Sequence, residues 1–241
     1  MPLPKISTPL YELTLPSTGK TVKYRPFLVK EEKVLILALE SGNPKQITNA
    51  IKQVLKECVQ TRGVKVESLP TFDIEYLFLN IRGKSVSEAV ELVVTCGDDG
   101  TTQVPVSVFI DEIQVQMNEN HKQDIQIDKD ITIRMKYPSL EEFVKNNFVV
   151  QGDDVSEVEQ SFEVIAACIE QIYTEEDAWA SEDLTKKELV SWIEGLTSSQ
   201  FKQIEEFFDT MPKLSHTVEV MNPNTQKKNT VVLEGLTSFF A

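Results

Sequence analysis

The sequence predicts an α+β protein in which helices flank a small antiparallel sheet, with a β-hairpin near each end. Three observations carry this. Residues 10–27, 88–137 and 215–236 hold short stretches that alternate apolar with polar side chains, the period of a half-buried strand. The segments between them repeat apolar residues at helical spacing. The two kinds come in blocks (hairpin, helices, sheet, helices, hairpin) rather than in strict βαβ alternation, which is the mark of segregated layers.

The opening hairpin is read from "LYELTL" and "TVKYRPF", joined by "PSTGK", where Gly19 is free to adopt a positive φ. Two helices follow. The second has one apolar face made by Ile47, Ala50, Ile51, Val54, Leu55, Cys58 and Val59, with Pro44 suited to its start and Gly63 to its stop. A third, aromatic-rich helix spans about 71–81 and ends at Gly83. After Ser87, "AVELVVT", "TTQVPVSV", "EIQVQM" and "DITIRMKY" read as strands of one antiparallel sheet over 88–137, with "CGDDG" as the turn between the first two. Helices then return behind four reciprocal capping patterns: Ser139 with Glu142, Ser156 with Glu159, Thr185 with Glu188 and Thr197 with Gln200. Leu184 with Leu189, and Leu196 with Phe201, add the flanking apolar pair that fixes the entry of a helix. The helix from Ser156 is expected to bury Val158, Phe162, Ile165, Ile169 and Ile172; the one from Thr197 presents Phe201, Ile204, Phe207, Phe208 and Met211. The last hairpin turns at "NPNTQ".

No repeat or low-complexity linker divides the chain. Composition places a boundary in "VVQGDDVSE", near residue 152, separating an α+β domain over 1–150 from an acidic helical region over 151–241 that ends in the hairpin, unless the two pack as one unit. The net charge of −14 is unevenly spread: residues 1–90 hold 13 basic and 9 acidic side chains, residues 91–241 hold 11 and 29. The second part would repel a polyanion, and the first has no dense basic stripe, so the balance argues against nucleic-acid binding and for a protein partner. No apolar run approaches the roughly 20 residues of a membrane span. The N-terminus has neither the basic nor the apolar region of a signal peptide, which reads as a protein made and used in a cytoplasm. Cys58, Cys96 and Cys168 are widely separated and odd in number, as for reduced core residues rather than a disulfide framework.

Reaction chemistry is not evident. His121 and His216 lie in a polar loop and at a strand start and read as surface residues; no phosphate loop, dinucleotide fingerprint or nucleophile elbow occurs. Cys96 sits on a turn of the kind that forms half a zinc knuckle, but Asp99 stands where the second thiolate would be and no second ligand pair follows. No cofactor and no metal are therefore expected. "EEDAWASED" holds five carboxylates, without the ligand alternation and central glycine of a calcium loop, and reads as a solvated acidic loop. Trp179 within it either packs locally or anchors an interface.

"LPKISTPLYELTLPSTGKTVKYRPFLVKEEKVLILALES", "ITNAIKQVLKECV", "LPTFDIEYLFLNIRGKSVSE" and the closing "LEGLTSFF" together resemble the T-even-type tailed-phage baseplate hub assembly family. The resemblance is densest over residues 3–88 and looser beyond. It implies a non-enzymatic late protein, hub subunit or assembly chaperone, working through contacts with other hub, wedge or tape-measure proteins in the host cytoplasm, and in the virion if it stays there. Candidate contact residues are the basic side chains Lys20, Lys23, Arg25 and Arg82 of the densest stretch, Trp179, and Leu236, Phe239 and Phe240 near the terminus. The terminal rings either close the protein's own core or dock in a partner. Self-packing is favoured, because a strand leads directly into them. The rival readings are an acidic DNA mimic that blocks a host nucleic-acid-binding protein, and an enzyme of unrecognised type. Mimicry requires charge spaced along a rod, whereas these acids cluster in loops among lysines.

Overall fold

The computed structural model of the chain describes residues 7–138, 140 and 157–239. The expected caps at Ser139/Glu142 and at Ser156, and the composition boundary near 152, lie outside them. The described residues group into two compact units, one from residues 7–116 and 213–239, the other from 117–140 and 157–212. The C-terminal hairpin thus belongs to the same unit as the N-terminal one.

The first unit opens with strands β1 (Tyr11–Thr14) and β2 (Thr21–Tyr24), paired antiparallel around a loop in which Gly19 takes φ +66°. Helices α1 (Val29–Glu40) and α2 (Pro44–Cys58) follow. Asn43 caps α2 by accepting from the N–H groups of Lys45 and Gln46, and its apolar face from Ile47 to Cys58 is buried as its periodicity requires. Helix α3 (Thr71–Ser85) is the unit's centre and packs against α2 and the C-terminal elements; nearly its whole first three turns are buried. It does not stop at Gly83. A Cβ there would stand 2.7 Å from Ile110 Cδ1, so this glycine permits a close approach rather than a helix end.

Strands β3 (Ala89–Thr95) and β4 (Gln103–Phe109) form a two-stranded sheet of their own. The single sheet expected over 88–137 is not formed. β5 (Gln114–Gln116) instead joins β10 (Lys213–Met221), which pairs along its length with β11 (Lys228–Glu234). The tips of the two long hairpins are tied by side chains. Buried Asn222 donates to Asp98 Oδ1 at 2.8 Å and to Asp99 Oδ2 at 3.0 Å, Asn229 Oδ1 accepts from the Asp98 N–H at 2.9 Å, and Asn224 donates to Thr102 Oγ1 at 2.9 Å. The Thr225 hydroxyl also donates to Asp98.

The second unit is built on a four-stranded antiparallel sheet, β6 (Asp124–Gln126), β7 (Thr132–Met135), β8 (Ile169–Tyr173) and β9 (Ala178–Ala180), in that order. Helices α4 (Glu157–Cys168), α5 (Lys186–Glu194) and α6 (Ser198–Thr210) supply the rest. Its core gathers Ile133, Met135, Ile165, Ile169, Ile193, Ile204 and Phe207. Both expected capping boxes of α5 and α6 are formed: Thr185 with Glu188, and Thr197 with Gln200. Two expectations for α4 fail. Val158 is exposed, and Ile169 and Ile172 lie in β8 rather than on the helix. The ladder between β7 and β8 shifts register at Arg134/Met135, so that two isoleucines three residues apart both reach the core. This bulged strand imitates helical spacing.

Candidate functional site

The four basic candidates separate into two outward and two inward groups. Lys20 is exposed in the β1–β2 loop, and Lys23 is exposed on β2, 3.3 Å from Glu12. Arg25 points inward. Its guanidinium meets Glu31 at 3.0 Å, donates to the Pro26 carbonyl at 2.9 Å and approaches Cys58 Sγ at 3.9 Å. It thereby joins the end of β2 to the start of α1 and the end of α2. Burial pushes the Glu31 carboxyl up, but hydrogen bonds from Arg25 and from the Leu28 N–H outweigh it and hold the group below the usual range. Burial raises the Cys58 thiol to about 11, leaving it protonated and inert. Arg82 is half-buried on α3, and burial lowers its pKa from the ordinary guanidinium value.

Trp179 pairs with Ile172 across β8 and β9, which directs both side chains to the core face of the sheet. On the edge strand it remains 45% exposed. An open hollow of about 420 Å³ lies near it, over Arg134, Tyr173 and the turn Thr174–Ala178. Asp124 pairs with Arg134 there at 2.8 Å, while Glu175, Glu176 and Asp177 face solvent. Phe239 is fully buried in a 3-10 turn, Leu236–Phe239, that packs on α3 and β11; Leu236 opens that turn, and Phe240 lies outside the described residues. For Phe239 the terminal aromatic is core.

The histidines differ from their expected surface role. His121 is half-buried and clusters with the rings of Tyr137 and Phe207, at centroid distances of 5.6 and 5.0 Å, with Nδ1 3.0 Å from Thr210 Oγ1. His216 is half-buried and donates to the Glu112 carbonyl at 3.2 Å. All three cysteines are buried and free. Among the described residues no group of three or more His, Cys, Asp or Glu side chains is placed to hold a metal ion, and no helix is long and apolar enough to cross a membrane.

The feature that site-by-site reading passed over is α1. Seven of its twelve residues are apolar, yet only Glu31 and Ala38 are buried. Val29 is 79% exposed, Ile36 49%, Leu37 54% and Leu39 47%. A helix apolar around so much of its circumference is ordinarily enclosed. The signal was present in "VLILALE", but an apolar run does not say whether its own fold covers it. An exposed apolar surface of this kind is suited to contact with another protein.

Among known proteins, a family model described as T4 bacteriophage base plate protein matches residues 8–241. No curated protein and no solved structure matches.

Proposed function

The chain belongs to the T4 bacteriophage base plate protein family, and from that premise we propose that it acts without chemistry in assembly of the base plate's central hub. Membership itself carries a general role in phage tail and base plate morphogenesis, in company with other base plate and tail proteins. The proposal narrows this to the hub, as a subunit or as a chaperone that holds an aggregation-prone partner until it is built in. Its partners would be hub, wedge or tape-measure proteins, met in the host cytoplasm. The observation that carries it is the match over nearly the whole chain, joined to the resemblance to hub assembly proteins that is densest over residues 3–88. That stretch contains α1, the least covered apolar element of the described residues, and the exposed lysines Lys20 and Lys23. Apolar surface outside with buried, committed ions inside is what a recognition protein needs.

The test is reconstitution. Purified chain mixed pairwise with each base plate protein of the same phage should co-elute with a hub component in fixed proportion. Elution alone in every mixture would overturn the reading. Peptide mass spectrometry of finished particles then separates the two forms of the role, since a subunit is retained in stoichiometric amount and a chaperone is not.

A further inference from the structure

We propose that the outer edge of β11 is a self-association site, which pairs antiparallel with β11 of a second copy of this chain across a two-fold axis at Val231. The inference needs only the chain itself and stands whether or not the assembly role above holds.

The first observation is a free row of backbone groups. Two bonds fix the alternation of the β10–β11 ladder: the Gly235 N–H donates to the Leu214 carbonyl at 2.8 Å, and the Asn222 N–H to the Lys227 carbonyl at 2.9 Å. Between them Asn229, Val231 and Leu233 bond toward β10. The N–H and C=O groups of Lys228, Thr230 and Val232 and the N–H of Glu234 therefore point away from it. The Glu234 carbonyl accepts from the Ser238 hydroxyl at 2.6 Å and keeps a second lone pair. Among the described residues no strand pairs with this side, because β11 is the edge of its sheet.

The second is the lack of any device that blunts the edge. Short length, proline or a charge in mid-strand ordinarily does so. β4 carries Pro105 and β3 carries Glu91, while β1, β5, β6 and β9 run three or four residues. β11 has seven residues, no proline and an uncharged, β-branched centre of Thr230, Val231 and Val232.

The third selects the occupant. The charges of β11 lie at its two ends and are opposite in sign, Lys228 and Glu234. A symmetric antiparallel pair must oppose outward-bonding residues, so even-numbered positions meet even-numbered ones. With the axis at Val231, Lys228 meets the second copy's Glu234 at both ends and Thr230 meets Val232, all on the exposed face of the sheet. On the other face Val231 meets its own counterpart and Asn229 meets Leu233. An axis at Thr230 or Val232 instead opposes Lys228 to Val232 or Glu234 to Thr230, and both ion pairs are lost. The neighbouring charges keep this balance. On β10, Glu219 holds Lys228 at 2.7 Å, and Lys213 lies diagonally from Glu234 on the same face. Each end thus gathers Lys228 and Glu219 from one copy with Lys213 and Glu234 from the other, and Lys227 in the turn adds a cation beside the incoming Glu234. Asp98 and Asp99, at the adjoining hairpin tip, are engaged by Asn222, Thr225 and Thr102. A contact of two edge strands is smaller than the roughly 1,200 Å² of a stable complex, so the dimer forms reversibly.

The experiment is analytical ultracentrifugation of the full chain from about 1 μM to about 1 mM, where a monomer–dimer equilibrium is expected. Lys228→Glu and Glu234→Lys each oppose like charges at both ends and should weaken the dimer about tenfold. Mixing these two variants should restore association, because every end then pairs opposite charges. Val232→Pro deletes an outward N–H that β10 does not use, and should abolish the dimer with little change in the melting temperature of the dilute chain. Should that variant fail to fold, the charge variants decide alone. A wild-type chain that stays monomeric throughout overturns the proposal. So does a dimer indifferent to the charge variants, or one that the mixture does not restore. A monomeric chain that loses a base plate partner on Val232→Pro assigns the edge to a foreign strand and likewise overturns it.

Discussion

At the residue scale, several polar groups are held by partners more than a hundred positions away, which no local pattern in the sequence reveals. Asp98 and Asp99 sit at a hairpin tip. The Thr225 hydroxyl and Asn222 hold Asp98 below the usual carboxylate range, and the Thr102 hydroxyl and N–H do the same for Asp99. A folded pKa below the unfolded value contributes stability that is complete above the unfolded pKa, about 3.9 for Asp, and lost as pH falls through the folded value. Asp73 works in the opposite sense: burial raises it despite two hydrogen bonds from Ser17, so protonation at low pH favours the folded state. The Asp99→Asn variant should therefore melt below wild type at neutral pH and converge with it in acid, measured by calorimetry in steps from neutrality to about pH 2. Parallel curves would show that Asp99 is not the group that titrates. His121 reports in a higher window. Burial holds its ring below the usual 6.5, so its contribution is complete above 6.5 and lost as pH falls through the folded value. The melting temperature of the second unit should drop between about pH 7 and 5, and His121→Phe should flatten that part of the profile.

Local signals at the element scale worked where the deciding contacts are close in sequence. The boxes at Thr185 and Thr197 link groups three residues apart, and both form. Thr185→Ala and Thr197→Ala should each cost about 1 kcal/mol, read as a small parallel shift of the urea midpoint. A loss near zero in either would mean that the cap is idle in solution. Gly83 illustrates the opposite case, since its role is defined by Ile110, twenty-seven positions away. Gly83→Ala gains up to about 1 kcal/mol of helix propensity but forces Ile110 aside in a packed interior, an overpacking cost of about 1–3 kcal/mol. Net destabilisation of about 1 kcal/mol is expected by chemical denaturation. Stabilisation would show that Ile110 can yield freely. Bulged β8 belongs here too: Ile169 and Ile172 have helical spacing, and only the register shift of β7 against it explains their shared burial.

For the whole molecule, the grouping of elements is not the order of the chain. The first unit takes its closing strands and Phe239 from the C-terminal end, so that end stabilises a unit begun more than two hundred residues earlier. Deleting Ser238–Ala241 removes a buried aromatic, a loss of roughly 3–5 kcal/mol from a total that is typically about 5–15 kcal/mol. Hydrogen exchange should then show lost protection over 11–24, 71–85 and 213–234, with α4 to α6 little changed. Uniform loss across both units, or none at all, would contradict this division. The charge imbalance has the same scale. It is a property of the whole sequence and needed no coordinates.

The sequence by itself determined the class of the fold, both terminal hairpins, the faces of α2 and α6, the capped starts of α5 and α6, and membership in a family that assembles base plates. Each depends on neighbours within a few residues or on composition, which the linear chain displays. Tertiary structure alone decided which strands pair, and so split the expected sheet among three. It also turned Arg25 inward while leaving Lys20 and Lys23 outside, buried Phe239, and left the apolar side of α1 uncovered. These outcomes depend on what a distant segment brings alongside. A side chain's type shows that it will seek burial or a counter-charge, but not whether its own chain or another supplies it.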